Sequence, residues 1–567
     1  QFTITIAVSV LLSTVVALTL SPVMCSLILK PDSGKKKNIV FRKINEWLNL
    51  GNHKYVAVIN RVIRNPRRLM SAFGLVLVAI FIIHRLVPTS FLPVEDQGYF
   101  KIELELPEGA TLERTRVVTD RAVQYLEKNP YVAYVQNVTG SSPRVGSNQA
   151  RSELTVILKP WEERKGISID KIMENVEKDL KEYPECKVYL STPPVIPGLG
   201  TSGGFEMQLE ARGEATFDNL VQAADTLMYY AQKHKELTGL SSSLQSEIPQ
   251  LYFDVDRDKV KMLGVPLADV FSTMKAYTGS VYVNDFNMFN RIYKVYIQAE
   301  APYREHKDNI NLFFVKAKDG VMVPLTSLGN ASYTTGPGSI KRFNMFTTAV
   351  IRGSAAQGYS SGQAMEIMEQ IARNHLPDNI GLEWSGLSYQ EKKAGGQTGL
   401  VLTLVFLFVF LFLAAQYESW TVPIAVLLSL PVAALGAYLG VVICGLENDI
   451  YFQIGLVMLV GLAAKNAILI VEFAKVQVDK GGDLIQSAIH AAQLRFRPIL
   501  MTSLAFVLGM LPMVLASGPG SASRQAIGTG VFFGMIFAIV FGIVLVPFFF
   551  VLVYKTKAKV QHKIKKD

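Results

Sequence analysis

Lys465 lies about 14 residues into an apolar run, VGLAAKNAILIVEF, close to the depth of a bilayer centre. An unpaired cation there costs a few kcal/mol even on lenient insertion scales. One reading is a lysine facing an internal water pocket. The other is a cation paired with membrane carboxylates, whose protonation breaks and remakes the pair. Arg495 precedes a later apolar run and Thr502 lies one turn into it. A threonine hydroxyl at that position can relay a proton, or simply back-bond to its own helix. Glu418, Glu447, Asp449 and Glu472 all fall near span ends. The acids that Lys465 needs are therefore expected from sequence beyond this chain.

Enzyme chemistry finds no footing. The seven histidines are scattered without metal-ligand spacing, and no P-loop, GxSxG or dinucleotide fingerprint occurs. Cys25, Cys186 and Cys444 are too far apart in sequence for a disulfide framework or a close-spaced metal site. No metal and no cofactor is expected, and without a nucleotide-binding motif any energy-coupled step would draw on another source, such as an ion gradient.

Seven apolar stretches are long enough to cross a bilayer, near 1–29, 69–87, 397–413, 421–443, 451–474, 498–517 and 526–553. The chain carries a net charge of +10, but residues 88–396 alone carry about −5. The positive excess sits in short flanks: Lys35-Lys36-Lys37, Arg42-Lys43, Arg67-Arg68, Arg495 and Arg497, and the tail from Lys555 to Lys566. That distribution argues against nucleic acid and places 30–68, 475–497 and 554–567 in the cytoplasm. Gln1 then falls on the outer side, as does the domain 88–396. Gln1 runs straight into an apolar helix without a basic n-region, which is not a signal peptide and reads as the middle of a longer protein. Residues 38–66 read as an amphipathic helix along the inner membrane surface, with Phe41, Ile44, Trp47 and Leu48 at helical spacing.

Residues 88–396 alternate strand and helix patterns. Tyr99–Leu106 shows period two through Phe100, Ile102, Leu104 and Leu106; helices follow at Leu112–Lys128 and Ile169–Tyr183, and strands at Tyr131–Val135, Leu154–Leu158 and Val188–Leu190. This is a βαββαβ unit, and a similar series restarts at Phe205. The fold class expected is an α-helical membrane bundle of seven spans plus, on its outer side, an α+β domain of split-βαβ (ferredoxin-like) modules.

The chain resembles the hydrophobe/amphiphile branch of the resistance-nodulation-division family, the AcrB-like inner-membrane pumps. The resemblance rests on FLPVEDQG at 91–98, YVNDF at 282–286, GLSYQE at 386–391, QYESW at 416–420, NDIYFQIGLVMLVGLAAKNAILIVEFAK at 448–475, RFRPILMTSLAF at 495–506 and GTG at 528–530. It covers the C-terminal half of such a pump. It implies that Lys465, Arg495 and Thr502 belong to a proton relay completed by two adjacent aspartates from the other half. It also implies porter subdomains at 88–200 and at 201–247 with 337–396, and a docking subdomain at 248–336 carrying Asn284, Asp285 and Phe286. Partners implied are a periplasmic adaptor, an outer-membrane channel, two further copies in a homotrimer, the lipid bilayer of a Gram-negative inner membrane, and an amphiphilic small-molecule substrate. At substrate-lining positions where drug pumps of this family are rich in phenylalanine, this sequence has Gln136, Ser141 and Thr155, and VTGSSPRVGSNQA at 138–150 holds no aromatic; Tyr189 alone is retained. A more polar or narrower substrate is the consequence.

Two rivals stand beside this reading. A heavy-metal exporter of the same family needs a thioether cluster, for which Met173 and Met207 are the candidates. A non-transporting membrane scaffold of related topology would lack both the Lys465–Arg495–Thr502 set and the docking insertion.

Overall fold

The computed structural model describes residues 2–28, 39–142, 146–164, 166–181, 183–196, 198–200, 203–244, 246–356, 358–395 and 398–564. Lys35, Lys36, Lys37 and Lys566 lie outside them, as do the side chains of Phe41 and Ile44.

Among the described residues, seven helices are long and apolar enough to cross a membrane: Leu11–Ile28, Pro66–Leu86, Gly399–Tyr417, Val422–Cys444, Ile450–Asp479, Leu484–Val514 and Ser521–Ala558. The helices at both ends of the 475–497 segment overrun their apolar stretches. Ile450–Asp479 and Leu484–Val514 leave a link of only 480–483, so Arg495 sits inside a helix rather than before one. Hydrophobicity marks the membrane-crossing portion; Lys, Gln and Ala, good helix formers, carry the helices past it. Asp483 caps the second helix, accepting from the backbone N–H of Ile485 at 3.1 Å and of Gln486 at 3.0 Å.

Helix Ile39–Arg64 does more than lie on a surface. It buries Leu48, Tyr55, Ile59 and Ile63. The Tyr55 ring stacks on Phe496 at 4.8 Å, and its hydroxyl donates to the Ile543 carbonyl at 2.9 Å. Trp47 remains exposed on the opposite side.

Between the second and third spans the chain builds separate sheets over separate cores. In the first module strands Tyr99–Glu105, Val132–Ser142, Gly146–Leu158 and Lys187–Ser191 form an antiparallel sheet, in which the strand at 146–158 pairs with both 132–142 and 99–105, and 99–105 pairs with 187–191. Phe100, Ile102, Leu104, Leu154 and Val156 point into a core closed by helices Leu112–Glu127 and Ile169–Leu180. Within 138–150, residues 138–142 and 146–150 prolong the two paired strands, and 143–145 lie outside the described residues. Val138 pairs with Glu153 and Thr139 with Ser152, and a register shift follows at Gly140, whose φ is 86°.

The second module has strands Phe205–Ala211, Leu237–Ser242, Lys341–Phe343, Phe346–Ala355 and Ile380–Trp384 in one antiparallel sheet. Helices Phe217–Ala231 and Ser361–His375 cover its apolar face. The second of these opens with a reciprocal capping box between Ser360 and Gln363. Ser360→Ala is expected to cost about 1 kcal/mol, read as faster hydrogen exchange at the Gln363 amide. Residues 248–336 form a third unit with its own core around Val260, Val270, Phe313 and Leu325.

Candidate functional site

Two antiparallel spans, Ile450–Asp479 and Leu484–Val514, carry Lys465, Arg495 and Thr502, the residues expected to form a relay. Asn466 Nδ2 donates to Ser503 Oγ at 3.0 Å, with both residues buried. Lys465 and Thr502 each precede one member of this pair and both are exposed. A helix turns 100° per residue, so in antiparallel neighbours these two positions fall on the same flank. Lys465 is thus on an open side of the bundle, not enclosed within this chain, and among the described residues no carboxylate forms an ion pair with it. Glu472 shares its exposed face but lies about 10 Å further along the axis.

Thr502 Oγ1 donates to the carbonyls of Pro498 at 3.0 Å and Ile499 at 3.1 Å. It shows the back-bonded geometry, in which the hydroxyl shares carbonyls of the preceding turn with the helix ladder. Arg495 places its guanidinium 4.7 Å from the centre of the Phe473 ring. Its buried Nε has no hydrogen-bond partner among the described residues. Sequence reasoning missed the Asn466–Ser503 bond that sets the register of the pair; two polar residues beside Lys465 and Thr502 were the available signal.

In the first module the helix-free face of the sheet gathers several of the expected lining positions. Gln136 pairs with Thr155, Thr155 with Lys101, and Tyr189 with Glu103. Directly paired residues share a face, as do Lys101 and Glu103 two apart. Ser141 sits beyond the register shift at Gly140, paired with Ser147, outside this row. The same face carries charges absent from the expectation: Lys101 pairs with Glu153, Ser142 bonds Glu103, and Arg151, 4% exposed, pairs with Glu105 and with Glu108. The polar half of the period-two pattern held this information.

The second module repeats the theme. Glu206, Gln208 and Glu210 alternate with the apolar Phe205, Met207 and Leu209. Their face is tied by Arg352 to Glu206 at 2.9 Å, Thr348 to Gln208 at 3.1 Å and Arg212 to Glu210 at 2.6 Å. Met173 packs beside the first module's core and Met207 lies inside the second's, so the two thioethers are held in different cores.

Asn284, Asp285 and Phe286 lie on strand Val281–Met288, which forms a hairpin with Arg291–Ile297 through a turn at Phe289 and Asn290 with φ of 51° and 58°. The Phe286 and Tyr293 rings stack at 5.5 Å, and both stay substantially exposed.

Seven apolar helices, one of them with a lysine at mid-span, and a multi-module α+β insertion between the second and third define a multi-pass membrane protein. The chain belongs to the AcrB/AcrD/AcrF family, whose model matches residues 1–554. It is similar to the multidrug/solvent efflux pump membrane transporter MepB of Pseudomonas putida, with 38% identity over 98% of this chain and 53% of that protein. It is also similar to the multidrug resistance protein MdtF of Escherichia coli K12, at 39% over 98% of this chain and 54% of that one. The multidrug export protein AcrF of the same organism is 37% identical over the same shares. The chain spans about half the length of the curated relatives it matches. These relatives are multidrug efflux transporters of the resistance-nodulation-division type, not enzymes.

Proposed function

We propose that this chain is part of a proton-driven efflux transporter that exports amphiphilic compounds, as a homotrimer in a Gram-negative inner membrane. The α+β domain stands in the periplasm and the C-terminus in the cytoplasm. The modules at 88–200 and at 201–247 with 337–396 act as ferredoxin-like porter subdomains. The unit at 248–336, with Asn284, Asp285 and Phe286 on its exposed hairpin, docks towards a periplasmic adaptor and an outer-membrane channel.

Lys465 carries this reading. An ammonium against lipid at mid-span is costly, and here it shares an open flank with Thr502. In the assembled protein that flank is covered by a surface supplying carboxylates, to which the family resemblance assigns two adjacent aspartates. Proton binding to those acids releases Lys465, and Thr502 and Arg495 line the path. No resident cofactor takes part; the proton gradient supplies the energy.

The charged, internally paired faces of both porter sheets favour substrates with polar or ionic groups over purely aromatic drugs, with Gln136, Thr155 and Tyr189 in the lining and Ser141 at its margin. Relatives named for multidrug and solvent export keep the amphiphilic class open. The test is efflux of a fluorescent amphiphilic cation from loaded cells producing the full-length protein. A protonophore is expected to stop efflux at unchanged ATP; efflux that continues without a proton gradient but follows ATP would refute the coupling.

A further inference from the structure

The chain passes between bundle and α+β domain twice, upward at 87–91 and back down through helix Gly386–Gly395. Both crossings converge on one short inter-span link, 445–449. The Asn448 N–H donates to the Pro88 carbonyl at 2.8 Å, Ser90 N–H to Asn448 at 3.4 Å, and Ile450 N–H to Phe91 at 3.2 Å, with a parallel bridge between Thr89 and Asn448. The Gly362 N–H donates to the Thr89 carbonyl at 3.3 Å, and a Cβ on Gly362 would lie 2.7 Å from that oxygen. Ser361 Oγ donates to Glu391 Oε1 at 2.9 Å, tying the second module's helix to the descending crossing.

Three carboxyls sit in this joint, one from the descending crossing and two from the link. Glu391 lies close enough to Glu447 to be repelled by it, and so does Asp449. The buried Ser90 hydroxyl faces Glu447, while Asp449 accepts the Phe452 N–H at 2.7 Å as the cap of its span. Lys392, the neighbour of Glu391 on its own helix, is engaged by Glu369 at 2.6 Å. On the bundle side His84 Nδ1 and the Tyr438 hydroxyl bond one another at 3.1 Å, and Tyr438 packs on Phe452. Among the described residues none of the three carboxyls has an ion-pair partner. Such groups are held best with a proton on them.

We propose that Glu391, Glu447 and Asp449 are positioning residues of an acid-closed latch, through which external pH sets how firmly the α+β domain is held to the bundle. The inference rests on the transport reading for its orientation, not for its geometry. Burial pushes Glu391 up to about 7 and Asp449 up to about 6, and raises Glu447 as well. With folded values raised, the latch is fully closed below the ordinary carboxylate range and loosens as pH rises through about 6 and then about 7.

The test is amide hydrogen exchange of the full-length protein in lipid nanodiscs, corrected for the intrinsic pH dependence, followed at Asn448, Ile450 and Gly362 from pH 4.5 to 8. Protection is expected to fall by about tenfold per pH unit for each titrating carboxyl. Glu391→Gln, which can still accept from Ser361, and Asp449→Asn, which keeps the cap oxygen, are expected to flatten that step and the matching step in the pH profile of transport. Protection independent of pH in the unmodified protein, or an unchanged step in both variants, overturns the latch. Lys465→Ala separates the two readings, because it halts transport in the relay reading yet leaves the exchange step in place.

Discussion

Lys465→Ala is expected to bring proton-coupled export down to the level of cells lacking the protein, with the oligomer and the bundle intact. The two halves of that expectation have separate physical grounds. In this chain the Lys465 side chain is exposed and forms no ion pair among the described residues, so truncation removes little packing and the Asn466–Ser503 contact next to it stays. What is lost is a lysine at mid-depth of a span, the only one so placed among the described residues. In the proposed relay the carboxylates would then keep no counter-charge, and their protonation would no longer be coupled to movement of the helix. Lys465→Arg is expected to rescue poorly, because a guanidinium stays charged and is wider than the compact ammonium. Thr502→Val removes a hydroxyl already satisfied by the Pro498 and Ile499 carbonyls. It therefore costs little stability and lowers the transport rate only through the relay. Initial efflux rates, proton uptake by proteoliposomes and cross-linking of the oligomer measure these outcomes. Undiminished export by Lys465→Ala would end the relay proposal.

Where one physical signal dominated, the sequence was sufficient. Seven apolar stretches became seven long helices because hydrophobic length is local information. The alternation of Phe100, Ile102, Leu104 and Leu106 put all four side chains into cores, each at most 1% exposed. Helix ends were less legible, since Arg495 lies in a helix that continues far outside its apolar segment. The extension of the paired strands through 138–142 and 146–150 was not legible, because it comes from cross-strand pairing rather than from a period-two apolar pattern. The helix-free face of the second module's sheet was half visible: the alternation of Glu206, Gln208 and Glu210 showed polar positions, but not their ties to Arg352, Thr348 and Arg212. The joint at 445–449 was out of reach. Glu447 and Asp449 looked like acids at span ends, and nothing in the order of residues says that Glu391, more than fifty positions upstream, comes back to meet them. Lys465 shows the converse limit. Its residue type at that depth identified a site that needs partners, and the structure of this chain leaves it open.

The largest stability effect is expected at the crossing of helix Leu430–Cys444 with the helix beginning at Ser521. Lipid offers no hydrophobic drive for two apolar helices to leave it for one another, so close packing through small residues has to hold them together. Here Gly436 and Gly440 give way to Phe537 and Phe533. A Cβ on Gly436 would lie 2.5 Å from Phe537 Cβ and 2.7 Å from the Phe533 carbonyl oxygen, and one on Gly440 would lie 2.6 Å from Phe533 Cδ2. Phe533 Cβ also lies 2.7 Å from the Cβ position of Gly440. A rotamer change can move a ring but neither a Cβ nor a backbone carbonyl, so both glycines are constrained and Gly436 meets the closest contact. On the facing helix, Gly534 is equally constrained, with Leu459 at 2.3 Å and the Ala433 carbonyl at 3.1 Å from its missing Cβ. Gly436→Ala must therefore push the helices apart, and overpacking of this kind costs about 1–3 kcal/mol. Gly436→Val adds two methyl groups at the same place and is expected to lie at or beyond the upper end. Gly74→Ala is the control: it is also helical and in a span, but nothing lies within 4 Å of its Cβ position, and its effect is expected to be neutral or slightly stabilising. Thermal unfolding in detergent, monitored by loss of helical signal, ranks the three. If Gly436→Val melts with the unmodified protein, the close crossing of these helices is not what holds the bundle together.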